Sequence, residues 1–314
     1  GEATVTSELT FTSANWDTAQ TVTVTGADDD IIDGTVTSTI TVSVNDGSSD
    51  DNFDAVDDET VSVTTTDDDV AGFTIAETGG STSVAESGTT DTFTVVLDAQ
   101  PDIDVTLSIS SADTGEATVT NALIFTSANW DTAQTVTVTG VDDDLIDGTV
   151  TSTITVSVVD LASDNNFDAV DDETVSVTTT DDDVAGFTIA ETGGSTSVDE
   201  SGTTDTFTVV LDAQPATDVV LTITSSDTGE ATVTSELTFT SANWDTAQTV
   251  TVTGVDDDLI DGTVTSTITV SVNDGSSDDN FDAVDDETVS VTTTDDDVAG
   301  FTIAETGGST SVDE

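Results

Sequence analysis

The sequence lacks several residue types altogether, and each absence removes a class of chemistry. It has no cysteine, which excludes disulfides and thiolate metal sites. It has no histidine, lysine or arginine, so the usual bases that activate a serine or threonine nucleophile are missing. Only a carboxylate pair could catalyse a reaction, as in glycosidases, and among 66 acidic residues such pairs arise by chance. We therefore expect that the chain is not an enzyme.

The acidic side chains have no basic partners, which gives 314 residues a formal charge of −66. High net charge with few aromatic residues is typical of disorder. The acids are clustered, however, and strict alternations such as TVTVTG and TSTITVSV lie between the clusters. This two-residue period, rich in β-branched residues, predicts half-buried strands. No apolar run approaches the length of a membrane span. We expect no membrane insertion in this segment and no binding to nucleic acid.

One unit is repeated along the chain. GEATVT begins at residues 1, 115 and 229, and TSANWDTAQTVTVTG begins at residues 12, 126 and 240, which gives a period of 114 residues. A period of this length is typical of whole domains in tandem. The natural boundary follows TTTDDDV. We predict the later part of a first repeat at 1–70, complete second and third repeats at 71–184 and 185–298, and the first strand of a fourth repeat at 299–314.

Seven strand-like runs separated by turn signals divide each complete repeat. This number of short strands predicts an all-β fold of immunoglobulin-like β-sandwich domains of about 114 residues, arranged as a rod. Phe125 and Trp130 precede the fifth run, and we interpret both as core anchors. In the second repeat the runs are A (73–77 with 82–86), B (92–98), C (104–110), D (117–126), E (132–140), F (149–158) and G (173–180).

Acidic clusters that are far apart in sequence are expected to meet at one end of this sandwich. If consecutive strands run antiparallel, the A–B, C–D and E–F loops and the segment after G share one pole. In the second repeat these segments carry Glu86, Asp113, Asp142, Asp143, Asp144, Asp147, Asp181, Asp182 and Asp183. The third repeat has Glu200, Asp227, Asp256, Asp257, Asp258, Asp261, Asp295, Asp296 and Asp297, and the first has Asp28, Asp29, Asp30, Asp33, Asp67, Asp68 and Asp69.

A dense set of oxygen ligands without nitrogen or sulfur suits a hard cation, and its size and flexibility favour Ca²⁺ over Mg²⁺. The alternative is a solvated acidic surface, as in a protein adapted to high salt. An EF-hand is excluded, because DDLIDG has leucine where that loop needs its second oxygen ligand. At each junction, acids of the following repeat are expected nearby; in the third repeat these are Asp212, Asp218, Asp245, Asp282, Asp285 and Asp286.

Three motifs resemble the Calx-β domain and related calcium-dependent repeats of giant bacterial surface proteins. They are SVAESG, LIFTSANWDTAQTVTVTGVDDD and VSVTTTDDD. The resemblance covers each repeat from end to end, and it implies that Glu86, Asp113, Asp142 to Asp144, Asp147 and Asp181 to Asp183 ligate Ca²⁺. The chain departs from that family at LIDG, where Calx-β usually offers two spaced glutamates, so the number of ions per site stays open.

Three functions remain open at this point. The first is a calcium-rigidified stalk of an extracellular bacterial adhesin, in which neighbouring repeats of the same chain are the partners. The second is a segment of a self-assembling filament or surface layer, in which identical chains associate. The third is a carbohydrate- or ice-binding module based on the threonine rows. Threonine on alternating strand positions is more simply explained by β-propensity and solubility.

Overall fold

A computed structural model describes residues 1–6, 8–308 and 310–314, and within them the chain is all-β. No helix in these ranges has the length and apolar character needed to cross a membrane. Short 3₁₀ helices are present at Asp46–Ser48, Asp51–Phe53, Thr78–Gly80, Asp160–Ala162, Asn165–Phe167, Thr192–Gly194, Asp274–Ser276 and Asp279–Phe281.

The first half of the chain contains β1 (Ala3–Val5), β2 (Val24–Gly26), β3 (Val36–Val42), β4 (Glu59–Thr65), β5 (Phe73–Glu77), β6 (Thr82–Ala85), β7 (Thr90–Leu97), β8 (Val105–Ser111), β9 (Ala117–Val119), β10 (Ala122–Phe125), β11 (Gln134–Gly140), β12 (Val150–Val158) and β13 (Glu173–Thr180). The second half contains β14 (Phe187–Glu191), β15 (Thr196–Asp199), β16 (Thr204–Leu211), β17 (Val219–Ser225), β18 (Ala231–Val233), β19 (Glu236–Phe239), β20 (Gln248–Gly254), β21 (Val264–Val272) and β22 (Glu287–Thr294).

The described chain separates into two compact units. The first unit comprises Gly1–Asp142 and Thr151–Thr179, and the second comprises Asp143–Val150 and Thr180–Glu314. The loop Asp143–Val150 thus groups with the strands of the repeat that follows it in the sequence.

Each complete repeat is a sandwich of two sheets. In the third repeat the four-stranded sheet has the order β14-β16-β20-β18, and the five-stranded sheet has the order β15-β22-β21-β17-β19. Neighbouring strands are antiparallel except β15, which pairs with β22 in parallel. The second repeat has the same two sheets, β5-β7-β11-β9 and β10-β8-β12-β13-β6.

The alternation in the sequence explains the core between the sheets. In β20, Val250 and Val252 are buried, while Thr249 is exposed and Thr251 and Thr253 are partly exposed. The same period places Phe207 and Val209 of β16 in the core, beside the buried Phe239. Phe125 of the second repeat is buried, as predicted, whereas Trp130 packs against the core from a partly exposed position.

Two of the predicted strands are each split between the sheets. Predicted strand D becomes β9, which pairs with β11, and β10, which pairs with β8. Predicted strand A becomes a first segment on the four-stranded sheet and a second segment on the five-stranded one. Both sheets turn their inner faces to one core, so the alternation of buried and exposed residues continues from β9 into β10. The sequence therefore does not show where strand D passes from one sheet to the other.

Residues outside the two complete repeats are less well packed. Residues 1–65 form two separate two-stranded sheets, β1-β2 and β3-β4, and Phe11 and Trp16 are exposed. Residues 301–305 repeat the FTIAE of β5 and β14 but form no strand, and Phe301 is 87% exposed. An FTIAE segment thus forms a strand where a B strand of its own repeat follows it.

Candidate metal centre

The third repeat gathers acidic side chains at one end of its sandwich. They come from the turn after β15, the loop before β18, the loop between β20 and β21, and the segment after β22. Carboxylate oxygens of Glu200, Asp295 and Asp297 lie within 4.8 Å of one another, and so do those of Glu200, Glu230 and Asp261. Glu200 therefore belongs to both groups.

The backbone of Glu200 is fixed by its neighbours. Its N–H donates to the carbonyl oxygen of Thr294, at the end of β22, at 3.1 Å. The turn that follows closes with a hydrogen bond from Gly202 N to Asp199 O at 3.2 Å, and Gly202 has a φ of 87°, which favours glycine. The side chain of Glu200 is only 1% exposed. The turn thus points a carboxylate into the protein.

Gly254, the last residue of β20, lies directly against this turn. Its N–H donates to Thr203 O at 3.0 Å, and an added Cβ would lie 2.2 Å from Asp199 O and 2.9 Å from the carbonyl carbon of Asp199. Both atoms are backbone, so the turn itself would have to move. The absence of a side chain at Gly254 therefore allows the turn that carries Glu200 to lie against the end of β20.

We expect Gly254→Ala to destabilise the third repeat by about 1–3 kcal/mol, because overpacking against backbone forces a shift of the turn. The urea midpoint of unfolding, measured on the full chain, reports this loss. Gly275→Ala is the matched control, since a Cβ there meets no atom within 4 Å. Equal midpoints for the two variants would contradict the role assigned to Gly254.

Several buried carboxylate oxygens of this cluster have no hydrogen-bond partner in the described part of the chain. They are both side-chain oxygens of Glu200, Oε2 of Glu230 and Oδ2 of Asp297. Burying an ionised carboxylate without a partner is strongly unfavourable. A bound cation would supply the missing partner to all four atoms.

The electrostatics of the cluster favour proton or cation uptake. Burial, reinforced by the negative charges of Asp295, Asp261, Asp257 and Glu230, raises the pKa of Glu200 to about 7. Burial is also the main cause that raises the pKa of Glu230 and that of Asp297, and neighbouring carboxylates add to it. Like charges this close disfavour the ionised form.

Asp295 connects the segment after β22 to the loop between β20 and β21. Its Oδ2 accepts a hydrogen bond from Gly262 N at 2.8 Å, and its Oδ1 accepts one from Asp297 N at 2.7 Å. These bonds fix the backbone of Gly262, which follows Asp261, and the backbone of Asp297 itself. One carboxylate therefore organises two candidate ligand segments.

Sequence reasoning missed Glu230 and named Asp227 for the same loop. In the structure Glu230 is buried and belongs to one of the two groups of three, whereas Asp227 is exposed and belongs to neither. Asp227 Oδ1 accepts a hydrogen bond from Gly229 N at 3.0 Å, so it shapes the loop that presents Glu230. The sequence feature that pointed to Glu230 is the motif GEATVT, in which this glutamate stands immediately before the buried Ala231.

Four other predicted acids of the third repeat lie outside the two groups of three. Asp256, Asp258 and Asp296 are exposed, and their charges help to raise the pKa of Asp297 after the larger effect of burial. Asp257 is partly buried, and its Oδ1 accepts a hydrogen bond from Leu259 N at 2.6 Å. These acids add negative potential around the cluster.

The predicted acids of the second repeat are divided between the two units. Glu86, Asp113 and Asp142 belong to the first, and Asp143, Asp144, Asp147, Asp181, Asp182 and Asp183 belong to the second. Glu86 and Glu116, the counterpart of Glu230, are both buried. Within the second unit, Asp181 Oδ2 accepts a hydrogen bond from Gly148 N at 2.8 Å, as Asp295 does from Gly262.

The acids of residues 27–69 show part of the same arrangement. Asp67 Oδ2 accepts a hydrogen bond from Gly34 N at 2.7 Å, and bonds from backbone N–H groups lower the pKa of Asp67. Burial, reinforced by the charges of Asp67, Asp30, Asp68 and Asp28, raises the pKa of Asp69. A cavity of about 20 Å³ lies among Asp28, Asp29, Asp33, Asp67, Asp69 and their neighbours, and this is room for about one water molecule.

Comparison with known proteins gives similarities of fold only. No protein-family profile matches the chain, and no curated protein matches it in sequence. The crystal structure of CBD12 from CALX1.2 is 15% identical with a TM-score of 0.27, over 62% of this chain and 79% of that one.

Two structures of a surface layer protein, SbsC, are also similar. Domains 4 and 5 are 21% identical with a TM-score of 0.29, over 60% of this chain and 76% of that one. Domains 4–9 are 24% identical with a TM-score of 0.27, over 77% of this chain and 34% of that one.

Proposed function

We propose that the chain is a non-enzymatic, calcium-binding structural segment of an extracellular bacterial surface protein. Its repeats, bounded after residues 70, 184 and 298, extend a stalk that calcium stiffens. The observation that carries the proposal is Glu200, a carboxylate only 1% exposed whose two oxygens lack a hydrogen-bond partner in the described chain.

The burial of Glu200 separates the calcium site from a salt-adapted surface. Acids that serve only to hold water and salt are expected at exposed positions, where ionisation costs little. Glu200 and Glu230 are instead buried among other carboxylates. A cation bound at this position would offset the free-energy cost of burying these carboxylates and the repulsion between them. This balance supports an ordered site.

The ligand set favours calcium over other metals. All of its atoms are carboxylate oxygens, which excludes the thiolate and imidazole sites that suit zinc and copper. Calcium accepts six to eight oxygen ligands in flexible geometry, whereas magnesium demands a near-ideal octahedron. Glu200 belongs to both groups of three, so its carboxylate would contribute ligand oxygens to an ion held at either group. The proposed ligands are Glu200, Glu230, Asp261, Asp295 and Asp297.

The second repeat carries the same residue types at the same sequence positions, and we extend the proposal to it on that ground. Asp227 and Asp113 act through the loop that presents the neighbouring glutamate. The remaining predicted acids supply negative potential that attracts the ion.

Calcium binding at pH 7 is expected to release protons. The pKa of Glu200 is raised to about 7, mainly by burial, so its protonated and ionised forms are both populated at that pH. Because a ligand carboxylate must be ionised, calcium displaces the proton, and affinity falls as the pH is lowered from 8 to 6. Titration calorimetry in two buffers of different ionisation enthalpy measures the released protons.

Magnesium at the same concentration is the control for this titration, and it is expected to bind more weakly. Heats that do not depend on the buffer would contradict the role of Glu200 as a ligand. Absence of calcium binding at millimolar concentration would overturn the proposed function.

A further inference from the structure

The acidic loop of the second repeat, Asp143–Val150, contacts the strands of the third repeat within the second unit. Gln214 N donates to Asp144 O at 2.6 Å, and Leu145 pairs with Gln214 in a single parallel bridge. On the other side of the loop, Asn280 Nδ2 donates to Ile146 O at 2.9 Å. Three consecutive residues of the loop are therefore held by backbone and amide groups.

The side chain of Ile146 adds an apolar contact to these hydrogen bonds. It is partly buried and packs against the hydrophobic core of the third repeat. The receiving surface is preorganised, because the buried Asp278 accepts a hydrogen bond from Asn280 N at 3.0 Å and one from Thr217 N at 2.8 Å. Ile146 thus completes a core that belongs to another repeat.

The first unit contains the same contact. Gln100 N donates to Asp30 O at 2.7 Å, and Ile31 pairs with Gln100 in a parallel bridge. Asn166 Nδ2 donates to Ile32 O at 3.4 Å, and Ile32 packs against the core of the second repeat. The arrangement recurs although Ile31 takes the place of the leucine found at 145.

The third loop has the same sequence, but nothing in the described chain covers it. Leu259 is 63% exposed and Ile260 is 60% exposed. We propose that the loop 256–262 is a docking surface for a further copy of this repeat, which would receive Ile260 as the third repeat receives Ile146. The docking groups of that copy are the counterparts of Gln214 and Asn280.

A repeat of this sequence fits the surface better than an unrelated partner would. The loop presents two backbone carbonyls to donors, and one apolar side chain stands beside them. The groups that bond to the loop in both units are neutral amides, so no carboxylate has to approach the loop's own aspartates to form these hydrogen bonds. The proposal does not depend on calcium, and it is tested in the presence of EDTA.

The test compares Ile146→Ala with Ile260→Ala in the full chain by hydrogen–deuterium exchange. The reporting segment is 212–221, which contains Gln214 and differs in sequence from its counterpart 98–107. Ile146→Ala is expected to speed exchange there about tenfold, as the loss of a partly buried side chain should. Ile260→Ala, the matched control, should leave it unchanged, and Ile146→Val should largely preserve protection.

A lengthened chain tests the exposed loop directly. With one extra copy of residues 185–298 inserted after Val298, Ile260→Ala should lower the melting temperature of the least stable transition, whereas in the original chain it should leave the melting curve unchanged. If Ile146→Ala does not change exchange, or if Ile260→Ala has no effect in the lengthened chain, the docking role is wrong.

Discussion

Replacing Glu200 with glutamine is expected to remove most of the calcium response of the third repeat and to stabilise the calcium-free protein. Glutamine has nearly the same shape but carries no charge, so the repulsion among the buried carboxylates falls. Loss of a residue that only supports a metal ligand already costs about 10–100-fold in affinity. Because Glu200 belongs to both groups of three, we expect a loss of at least about a hundredfold, measured by calcium titration.

Glu236→Gln is the matched control, since it removes the same charge from an exposed position of the same repeat. It should leave calcium affinity unchanged within about twofold, as a surface substitution away from the site should. A control variant that loses as much affinity as Glu200→Gln would show that net charge alone attracts the ion.

The same variant should alter the pH dependence of stability. Burial raises the pKa of Glu200 from 4.5 to about 7, so the folded calcium-free chain binds this proton more tightly than the unfolded chain does. The stability from this proton is fully present below pH 4.5 and is lost as the pH rises through 7. Glu200→Gln should flatten that decline, which urea unfolding between pH 5 and 8 would reveal.

Calcium itself is expected to raise the melting temperature of the full chain more than any substitution changes it. Binding to the folded state alone stabilises by about 4 kcal/mol per site at a thousandfold excess over Kd. For domains of this size that corresponds to a shift on the order of 10–30 °C. Calorimetric scans with millimolar calcium and with EDTA measure it.

Sodium chloride at equal ionic strength is the control for the melting experiment. Salt screens the repulsion between exposed carboxylates, but it cannot provide the coordination that Glu200 and Glu230 lack in their buried positions. We therefore expect a much smaller shift with sodium. If sodium matched calcium, the acids would be a salt-adapted surface and the ordered site would be wrong.

The sandwich was predictable from the sequence, because a strand buried on one face has apolar residues at every second position. That period marks Val250 and Val252 of β20 and nearly every other core position. The crossing of strand D between sheets was not predictable, since the period is the same on both sides of it. Nor was the absence of a strand at 301–305, because FTIAE forms a strand at 73–77 and 187–191 through its pairing with β7 and β16, and the segment's own sequence does not show that pairing.

The sequence predicted which loops meet at the candidate site, because the order of the strands determines that. It did not predict which side chain of each loop faces inward. Counting strands placed Glu200, Asp261, Asp295 and Asp297 at one pole. Choosing between Asp227 and Glu230 required knowing which side chain faces inward, and this is set by the loop backbone that Asp227 itself shapes. The apolar role of Ile146 was hidden because the residue lies between acids.

The docking of each acidic loop has a consequence for how such a chain could change length during evolution. Ile32 and Ile146 enter equivalent surfaces in successive repeats, so a recombination event that adds or deletes a whole repeat recreates the same joint between the new neighbours. Any number of repeats is then compatible with the fold. An insertion or deletion of part of a repeat would separate an isoleucine from its receiving surface, and selection should remove it.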